Sequence, residues 1–178
     1  YGHFTILPGT SEVGESPQAR ASSYRLADEY GRPDKYAGYL LRYRVSFELT
    51  ATCRSALMRV TYPESESAWM AFSTFTDECY AAYDPDAGCV YGWSKNHESG
   101  GCPENLACYF VAYFDHKVND SQPLPDCNGT AVHFATNGKH PVHMKIGTSF
   151  ISCEQANVNI ENEIGEDSFK DVQQRTAE

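Results

Sequence analysis

Hydrophobic and polar residues alternate with a period of two along much of the middle of the chain. Over residues 41–49 every second side chain is apolar, and the positions between them are arginine, serine or glutamate. This pattern is typical of a β-strand that buries one face and exposes the other. Similar patterns predict further strands at 56–62, 69–75, 89–93, 107–114, 131–135 and 142–151.

Individual residues refine these predicted strands. Pro63 ends the strand at 56–62, because proline cannot donate to a strand ladder. Residues 107–114 are almost continuously apolar or aromatic, which predicts a central strand covered on both faces. Asn137-Gly138 separates the last two strands and is a dipeptide that commonly closes hairpins.

The two ends of the chain lack this alternation. A short apolar run at 4–8 predicts one strand, and the glycines, prolines and serines around it predict mostly irregular loop over 9–38. Beyond residue 153, Ala156, Ile160 and Ile164 share one helical face, and Phe169 and Val172 share another. Strands followed by helices predict an all-β fold, an antiparallel β-sandwich over 1–153, with a helical linker over 154–178 that leads to a further domain.

Composition and charge exclude several classes of partner. The chain has 178 residues, of which 41% are hydrophobic, and a formal net charge of −10. It has no cluster of lysines and arginines that would follow a phosphate backbone, so we expect no nucleic acid partner. No apolar run approaches the roughly 20 residues that cross a bilayer, so we expect no membrane insertion.

The cysteines and two glycosylation sequons favour a secreted protein. Asn119-Asp-Ser and Asn128-Gly-Thr are both N-glycosylation signals, which makes Asn119 and Asn128 the predicted glycan acceptors. The seven cysteines are scattered rather than paired at zinc-site spacing, so we expect at least two disulfides and one thiol left over. They lie at positions 53, 79, 89, 102, 108, 127 and 153.

The sequence contains no recognisable catalytic motif and no convincing metal site. His140 and His143 are separated by a proline and predict surface histidines rather than metal ligands. The turn at 84–88 brings Asp84 and Asp86 together, but it lacks the later glutamate of a complete calcium loop. The acidic residues lie mostly in loops or on solvent faces, so we expect no acid–base pair of carboxyl groups within this chain.

An aromatic segment at 90–97 is the strongest candidate for binding. Tryptophan and tyrosine rings stack on the C–H faces of sugars, while asparagine and histidine bond to hydroxyl groups. This predicts a glycan site formed by Trp93, Asn96 and His97. The alternative is a Trp93 buried between the two sheets.

Three segments, in order along the chain, carry a resemblance to glycoside hydrolase family 92, the exo-acting α-mannosidases. Residues 48–63 resemble the family's E-L-T-A-T-x-R run that closes in R-x-T-F/Y-P. Residues 109–115 are similar to its Y-F-V-A-x-F strand. Residues 142–163 resemble a strand ending in G-x-S-F-x-S that leads to a helix with E-x-A and N-L/I-x-x-E.

This resemblance implies a supersandwich-like N-terminal domain of a calcium-dependent, inverting exo-α-mannosidase that acts on the α-mannosides of N-glycans. In such enzymes the sandwich packs against an (α/α) barrel, which holds the catalytic acid, the base and most calcium ligands. No part of this chain matches the barrel, so we assign it no catalytic residue and expect it to be inactive alone. The alternative is a stand-alone glycan-binding or structural cell-surface module.

Overall fold

A computed structural model describes residues 3–74, 78–95, 103 and 105–177. The strands are β1 (Phe4–Gly9), β2 (Tyr30–Arg32), β3 (Lys35–Leu40), β4 (Val45–Ala51), β5 (Ser55–Thr61), β6 (Glu64–Thr74), β7 (Cys79–Asp84), β8 (Cys89–Ser94), β9 (Cys108–Phe114), β10 (Asp120–Pro123), β11 (Thr130–Asn137) and β12 (Val142–Ser149). The α-helices are α1 (Pro17–Arg20), α2 (Cys153–Glu163) and α3 (Phe169–Thr176), and a 3₁₀ turn spans Leu26–Asp28. No helix in these ranges is both long and apolar enough to span a membrane.

The strands form two antiparallel sheets of unequal width that pack face to face. The small sheet has the order β1-β6-β11-β10, and the large sheet has the order β2-β3-β4-β5-β12-β9-β8-β7. One apolar core fills the space between them. This arrangement confirms the predicted all-β antiparallel sandwich.

Aromatic side chains from both sheets dominate this core. Trp69, Phe72 and Phe134 from the small sheet and Phe110 from the large sheet are fully buried. The rings of Phe72 and Phe110 stack across the interface with centroids 5.9 Å apart. Burying one such side chain contributes about 1.5–3 kcal/mol relative to leaving it exposed, so these contacts hold the sheets together.

Most predicted strands are found close to their expected bounds. The continuously apolar segment is β9, which lies between β12 and β8 with Phe110 facing the core and Val111 packed under α2 on the other face. This confirms a central strand covered on both sides. The strand predicted at 69–75 is β6, which starts earlier and ends at Thr74; Phe75 lies outside the described residues.

The strand predicted over 41–49 is only half correct, because β4 begins at Val45 and residues 41–44 form the turn that follows β3. Arg44 has a φ of 56°, a left-handed conformation that does not occur within a strand. Tyr43 is buried for another reason. Its ring lies edge-on to Trp69 at 5.2 Å, and its hydroxyl donates a hydrogen bond to the carbonyl of Arg20 at 2.6 Å. The turn therefore imitates the alternation of a strand.

The predicted irregular loop over 9–38 is wrong for its second half. Residues 30–40 form the β2–β3 hairpin, which pairs Arg32 with Lys35 and turns at Pro33 and Asp34. Proline and aspartate are favoured turn formers, and this signal was present in the sequence. Cross-strand pairing with β4 then extends the large sheet by two strands.

Asn137-Gly138 makes a tight turn, but the turn does not close a hairpin. The side-chain oxygen of Asn137 accepts hydrogen bonds from the backbone N–H groups of Lys139 and His140, and Gly138 has a φ of 70°. The strands on either side belong to different sheets, since β11 pairs with β6 and β12 pairs with β5 and β9. The dipeptide predicts the turn correctly but cannot specify which strands pair.

The two C-terminal helices pack on the outer face of the large sheet. The side chains predicted to face inward are buried, with Ile160 and Ile164 on α2 and Phe169 and Val172 on α3. Ser152 caps the start of α2, and Ser168 forms a capping box with Asp171 at the start of α3. Residues 154–176 therefore complete the fold of this domain, and their role as a linker to a further domain stays a prediction.

A carboxylate at the end of α2 fixes the helix to the β4–β5 turn. Glu163 accepts hydrogen bonds from the Thr52 hydroxyl at 2.5 Å, the Arg54 backbone N–H at 2.8 Å and the Arg54 Nε at 2.7 Å. Partial burial would raise the pKa of Glu163, but these hydrogen bonds outweigh burial and lower it. Thr52 and Arg54 are the threonine and arginine of the T-x-R part of the E-L-T-A-T-x-R run. This part of the run therefore stabilises the packing of α2 on the sheet.

A buried ion pair ties the N-terminal loop to the small sheet. The Arg20 guanidinium, which is 2% exposed, binds both carboxylate oxygens of Asp126 at 2.8 and 2.6 Å and the carbonyl of Gly14 at 2.8 Å. These hydrogen bonds, with Arg20 as the main cause, lower the pKa of Asp126. The pair holds residues 14–20, which include the short helix α1, in place.

Replacing Glu163 tests the anchor of α2. We expect Glu163→Gln to lower the free energy of unfolding by about 2 kcal/mol, because it weakens three charge-assisted hydrogen bonds. Glu161→Gln is the matched control, since Glu161 is exposed on the same helix, and it should change stability by less than about 0.5 kcal/mol. Urea denaturation measures the change in the free energy of unfolding for both variants. Equal changes would show that the hydrogen bonds of Glu163 do not stabilise the packing of α2.

Replacing Asp126 tests the buried ion pair. We expect Asp126→Asn to cost about 3 kcal/mol near neutral pH, because it leaves the Arg20 charge buried without a counter-ion. Lys95→Ala, which breaks the more exposed pair with Glu78, should cost less than about 1 kcal/mol. Urea denaturation at several pH values measures these differences.

The loss of stability caused by Asp126→Asn should depend on pH in one direction. Asp126 titrates lower in the folded chain than its unfolded pKa of about 3.9, so the pair contributes fully above that value. Its contribution is lost as the pH falls through the folded pKa. The stability difference between the native chain and Asp126→Asn should therefore shrink in acid, and a difference that grew in acid would contradict the assignment.

Candidate functional site

One end of the sandwich, which we call the Trp93 end, gathers several strand termini. β1 starts there at Phe4, β6 ends at Thr74, β8 ends at Ser94, β9 starts at Cys108 and β12 ends at Ser149. α2 also begins at this end. The last turn of α3 lies at the same end, where the Thr176 hydroxyl is 3.4 Å from that of Thr50 near the end of β4.

Trp93 lies on the outer face of the large sheet and not between the sheets. Its cross-strand neighbours are Tyr80 on β7 and Tyr109 on β9, and the Lys95 ammonium lies 5.9 Å from its ring centroid. The indole is half-buried, so part of its surface remains accessible. The tryptophan buried between the sheets is Trp69. The alternative prediction, that Trp93 is buried between the two sheets, is therefore wrong. Its role in binding a glycan stays a prediction.

The structure brings other aromatic groups to Trp93 that the sequence did not single out. Tyr80 is 42% exposed and lies 6.0 Å from the ring of Tyr91, so Tyr80, Tyr91, Trp93 and Tyr109 form an aromatic surface on three neighbouring strands. Period-two alternation in β7, β8 and β9 was the signal that could have predicted it. Asn96 and His97, the other predicted site residues, lie outside the described residues.

Two large apolar side chains are exposed at the same end. Phe150 is 60% exposed and Ile151 is 73% exposed, in the G-T-S-F-I-S segment that joins β12 to α2. Val158, on the outward face of α2, is 47% exposed. Exposed apolar side chains close together are typical of a surface that contacts another domain or a ligand.

A cleft of about 550 Å³ lies on the outer face of the large sheet, beside α2 and the start of α3. Apolar side chains from the sheet and both helices line it, namely Leu57, Ile160 and Phe169. Three acidic residues, Asp115, Glu161 and Asp167, also line it, so it is the described cavity where an acid–base pair would have to be sought.

The contacts of these acidic residues do not suit acid–base catalysis. Asp115 is held between two histidine rings, with His116 Nδ1 and His143 Nδ1 each 2.7 Å from one of its oxygens. Burial would raise the pKa of Asp115, but the hydrogen bonds from His116 and His143 lower it. Asp167 forms an ion pair with Arg175. His143 is thus a hydrogen-bond partner of Asp115.

The carboxyl groups whose pKa values are shifted elsewhere in the described chain do not suit acid–base catalysis either. A glycosidase acid needs a carboxyl group whose pKa is raised, so that it is protonated at working pH. In the described ranges every carboxyl group with a shifted pKa is shifted downward by hydrogen bonds or ion pairs: Asp34, Glu48, Asp115, Asp126, Glu154, Glu163 and Asp171. None of these seven carboxyl groups therefore has the raised pKa of a general acid.

The other predicted features lie at the surface. Asn119 and Asn128, the predicted glycan acceptors, are both exposed in loops beside β10. Asp84 closes the β7–β8 turn by accepting hydrogen bonds from the backbone N–H groups of Asp86 and Ala87, an ordinary turn as expected. Among the described residues no group of three histidine, cysteine or acidic side chains could hold a metal ion.

The predicted disulfides are not found between described residues. Six of the seven cysteines are described, and no two of them are bonded to each other; Cys102 lies outside the described residues. Burial raises the pKa of Cys108 to about 11, and it also raises the pKa of Cys89 and Cys153. These thiols pack as small apolar groups.

Comparisons with known proteins agree with this architecture. The structure is similar to that of the inverting GH92 mannosidase BT2199 of Bacteroides thetaiotaomicron VPI-5482, with a TM-score of 0.86 and 22% identity, over 98% of this chain and 25% of that one. The GH92 α-mannosidase BT3965 of Bacteroides thetaiotaomicron, in complex with mannoimidazole, gives a TM-score of 0.88 and 23% identity, over 99% and 27%. The GH92 glycosyl hydrolase ccman5 gives 0.76 and 18%, over 99% and 27%.

These likenesses, all below 25% identity, show a shared fold, and this chain spans 25% to 27% of the length of those proteins. No curated protein matches the chain. The model of the glycosyl hydrolase family 92 N-terminal domain matches residues 1–149, which is most of the chain. The chain therefore belongs to glycosyl hydrolase family 92, as a member of its N-terminal domain.

Proposed function

We propose that this chain is the sandwich portion of a secreted, calcium-dependent exo-α-mannosidase that hydrolyses α-mannosides of N-glycans. In this proposal the sandwich is inactive alone and forms one wall of the sugar site. The observation that carries the proposal is the Trp93 end, because an accessible indole, exposed apolar side chains and the last turn of α3 all lie at this end of the sandwich. The family membership supports the substrate class.

The proposed partner of this end is the catalytic (α/α) barrel of the same protein. Phe150, Ile151 and Val158 provide an apolar surface that water would otherwise cover, and burying it would favour association. Trp93 lies on the outer face beside this surface and offers a ring on which the C–H face of a mannose stacks. The sandwich would orient the sugar and exclude water, while the barrel supplies the acid and the base.

Calcium is assigned to the barrel in this proposal. The described residues of this chain do not fit a calcium site, because they contain no group of three metal-ligating side chains. No step of the reaction is therefore derived through calcium on this chain. Secretion is supported by the two exposed sequons at Asn119 and Asn128, whereas the described cysteines give it no support, since none of them is joined to another.

Activity measurements test the proposed division of roles. We expect the purified chain to release no mannose from an α-linked mannobiose, because the described carboxyl groups with shifted pKa values are all shifted downward. In a protein that joins this chain to a family barrel, Trp93→Ala should lower kcat/KM for α-mannosides about tenfold, the loss expected for one stacking face. Trp93→Tyr should restore most of the activity.

A control separates the loss of a sugar contact from general damage. Tyr30→Ala removes an exposed aromatic side chain at the opposite edge of the large sheet and should leave kcat/KM unchanged. Release of mannose by the chain alone would contradict the proposal. Full activity of Trp93→Ala would show that Trp93 does not contact the sugar. It would favour either a stand-alone module or a sugar site whose wall is formed by other residues.

A further inference from the structure

The large sheet is wider than the small one, and its inner face is left uncovered at the β2–β3 edge. Val45 on β4 is fully buried by the small sheet, but Leu40, Phe47 and Leu49 are only half-buried. Tyr36, on the same inner face of β3, is 43% exposed. This edge is opposite the strands that carry Trp93.

A loop closes one side of the uncovered face and creates a narrow groove of about 90 Å³. Tyr24 and Glu29 line the groove from the loop, and Tyr36, Gly38 and Phe47 line it from the sheet. A side chain at position 38 would collide with the Phe47 ring, because its Cβ would lie 2.9 Å from Phe47 Cζ. Because Gly38 has no side chain, the Phe47 ring remains accessible from the groove.

Polar groups converge at the mouth of the groove. The Tyr36 hydroxyl donates a hydrogen bond to the Glu29 carboxylate at 2.9 Å, and Tyr24, which is 62% exposed, lies close enough to Tyr36 to influence its titration. Arg25 also lines the groove. The hydrogen bond from Tyr36 to Glu29 raises the pKa of Tyr36 above its usual value.

We propose that this groove, which we call the Tyr36 groove, binds one pyranose ring of a glycan. Aromatic floors accept the C–H face of a sugar, and a carboxylate, two phenols and a guanidinium supply the donors and acceptors that its hydroxyl groups need. The groove is too narrow for a helix or a folded partner, so a sugar ring would stack at its open mouth, where Tyr24 and Tyr36 are exposed. Membership of a glycoside hydrolase family makes a sugar the ligand class most consistent with this chemistry.

The proposal does not depend on the proposed role of Trp93. The two aromatic surfaces lie at opposite edges of the large sheet, so a probe can report on each separately. Tyr30 gives an internal control for the Tyr36 groove. It lies on the same hairpin and is 38% exposed, but it pairs with Ala37 on the opposite face of the sheet.

The test is a titration of the chain, carrying ¹³C-labelled tyrosine rings, with methyl α-D-mannopyranoside, followed by NMR. We expect the Tyr24 and Tyr36 resonances to shift with a common Kd on the order of 1 mM, the weak affinity expected of one sugar ring, and the Tyr30 resonance to stay fixed. Tyr24→Ala changes an exposed loop and should not unfold the chain. It should raise the Kd measured from the Tyr36 resonance at least about fivefold. Single Tyr→Phe variants assign the resonances.

Three outcomes would overturn the proposal. The first is that Tyr24 and Tyr36 do not respond at sugar concentrations well above that Kd. The second is that glycerol, a polyol without a ring face, shifts them equally. The third is that the same resonances shift with protein concentration alone, which would show that a second copy of the chain covers the groove.

Discussion

The close contact between Gly147 and α2 is the constraint on which the outer half of this structure depends. A Cβ at position 147 would lie 2.4 Å from the carbonyl oxygen of Ala156 and 2.6 Å from Ile160 Cγ1. Only glycine lets the helix lie directly on the backbone of β12. From there, α2 reaches β8 and β9 at Cys153 and the β4–β5 turn at Glu163, so one helix holds strands from most of the large sheet.

The position of α2 also bears on the proposed role of the chain as one wall of a sugar site. Because α2 crosses the sheet and α3 returns to the Trp93 end, the domain presents its accessible indole and its exposed apolar side chains on one side. The ion pairs and hydrogen bonds that shift the described carboxyl groups lower their pKa values, which suits structural anchors. These features suit the proposal that the chain positions a sugar while another part of the protein supplies the acid and the base.

Period-two alternation predicted β5 and β12 well, because every second side chain of each faces the core, and the continuous apolar run predicted β9 as a strand covered on both faces. It failed at residues 41–44, where Tyr43 is buried by Trp69 and Arg20 from distant segments, a contact that local sequence cannot report. Asn137-Gly138 identified a turn but not its neighbours, since strand pairing is set by long-range packing. For the site, Trp93 lies on an aromatic surface and its contact with a sugar stays a prediction, whereas the Tyr36 groove depends on the unequal widths of two sheets and was not predictable.

The stability of a Gly147→Ala variant tests the central claim, that α2 is an integral part of this domain held by its close approach to β12. Urea denaturation should show a loss of about 3 kcal/mol, near the upper end for overpacking because a backbone oxygen blocks the new methyl group. Hydrogen exchange should show the α2 amides losing protection before those of β9. Gly31→Ala is the control, since its Cβ would meet only Tyr36 Cδ2 at 3.9 Å. A Gly147→Ala chain as stable as the native one, with α2 fully protected, would contradict the account.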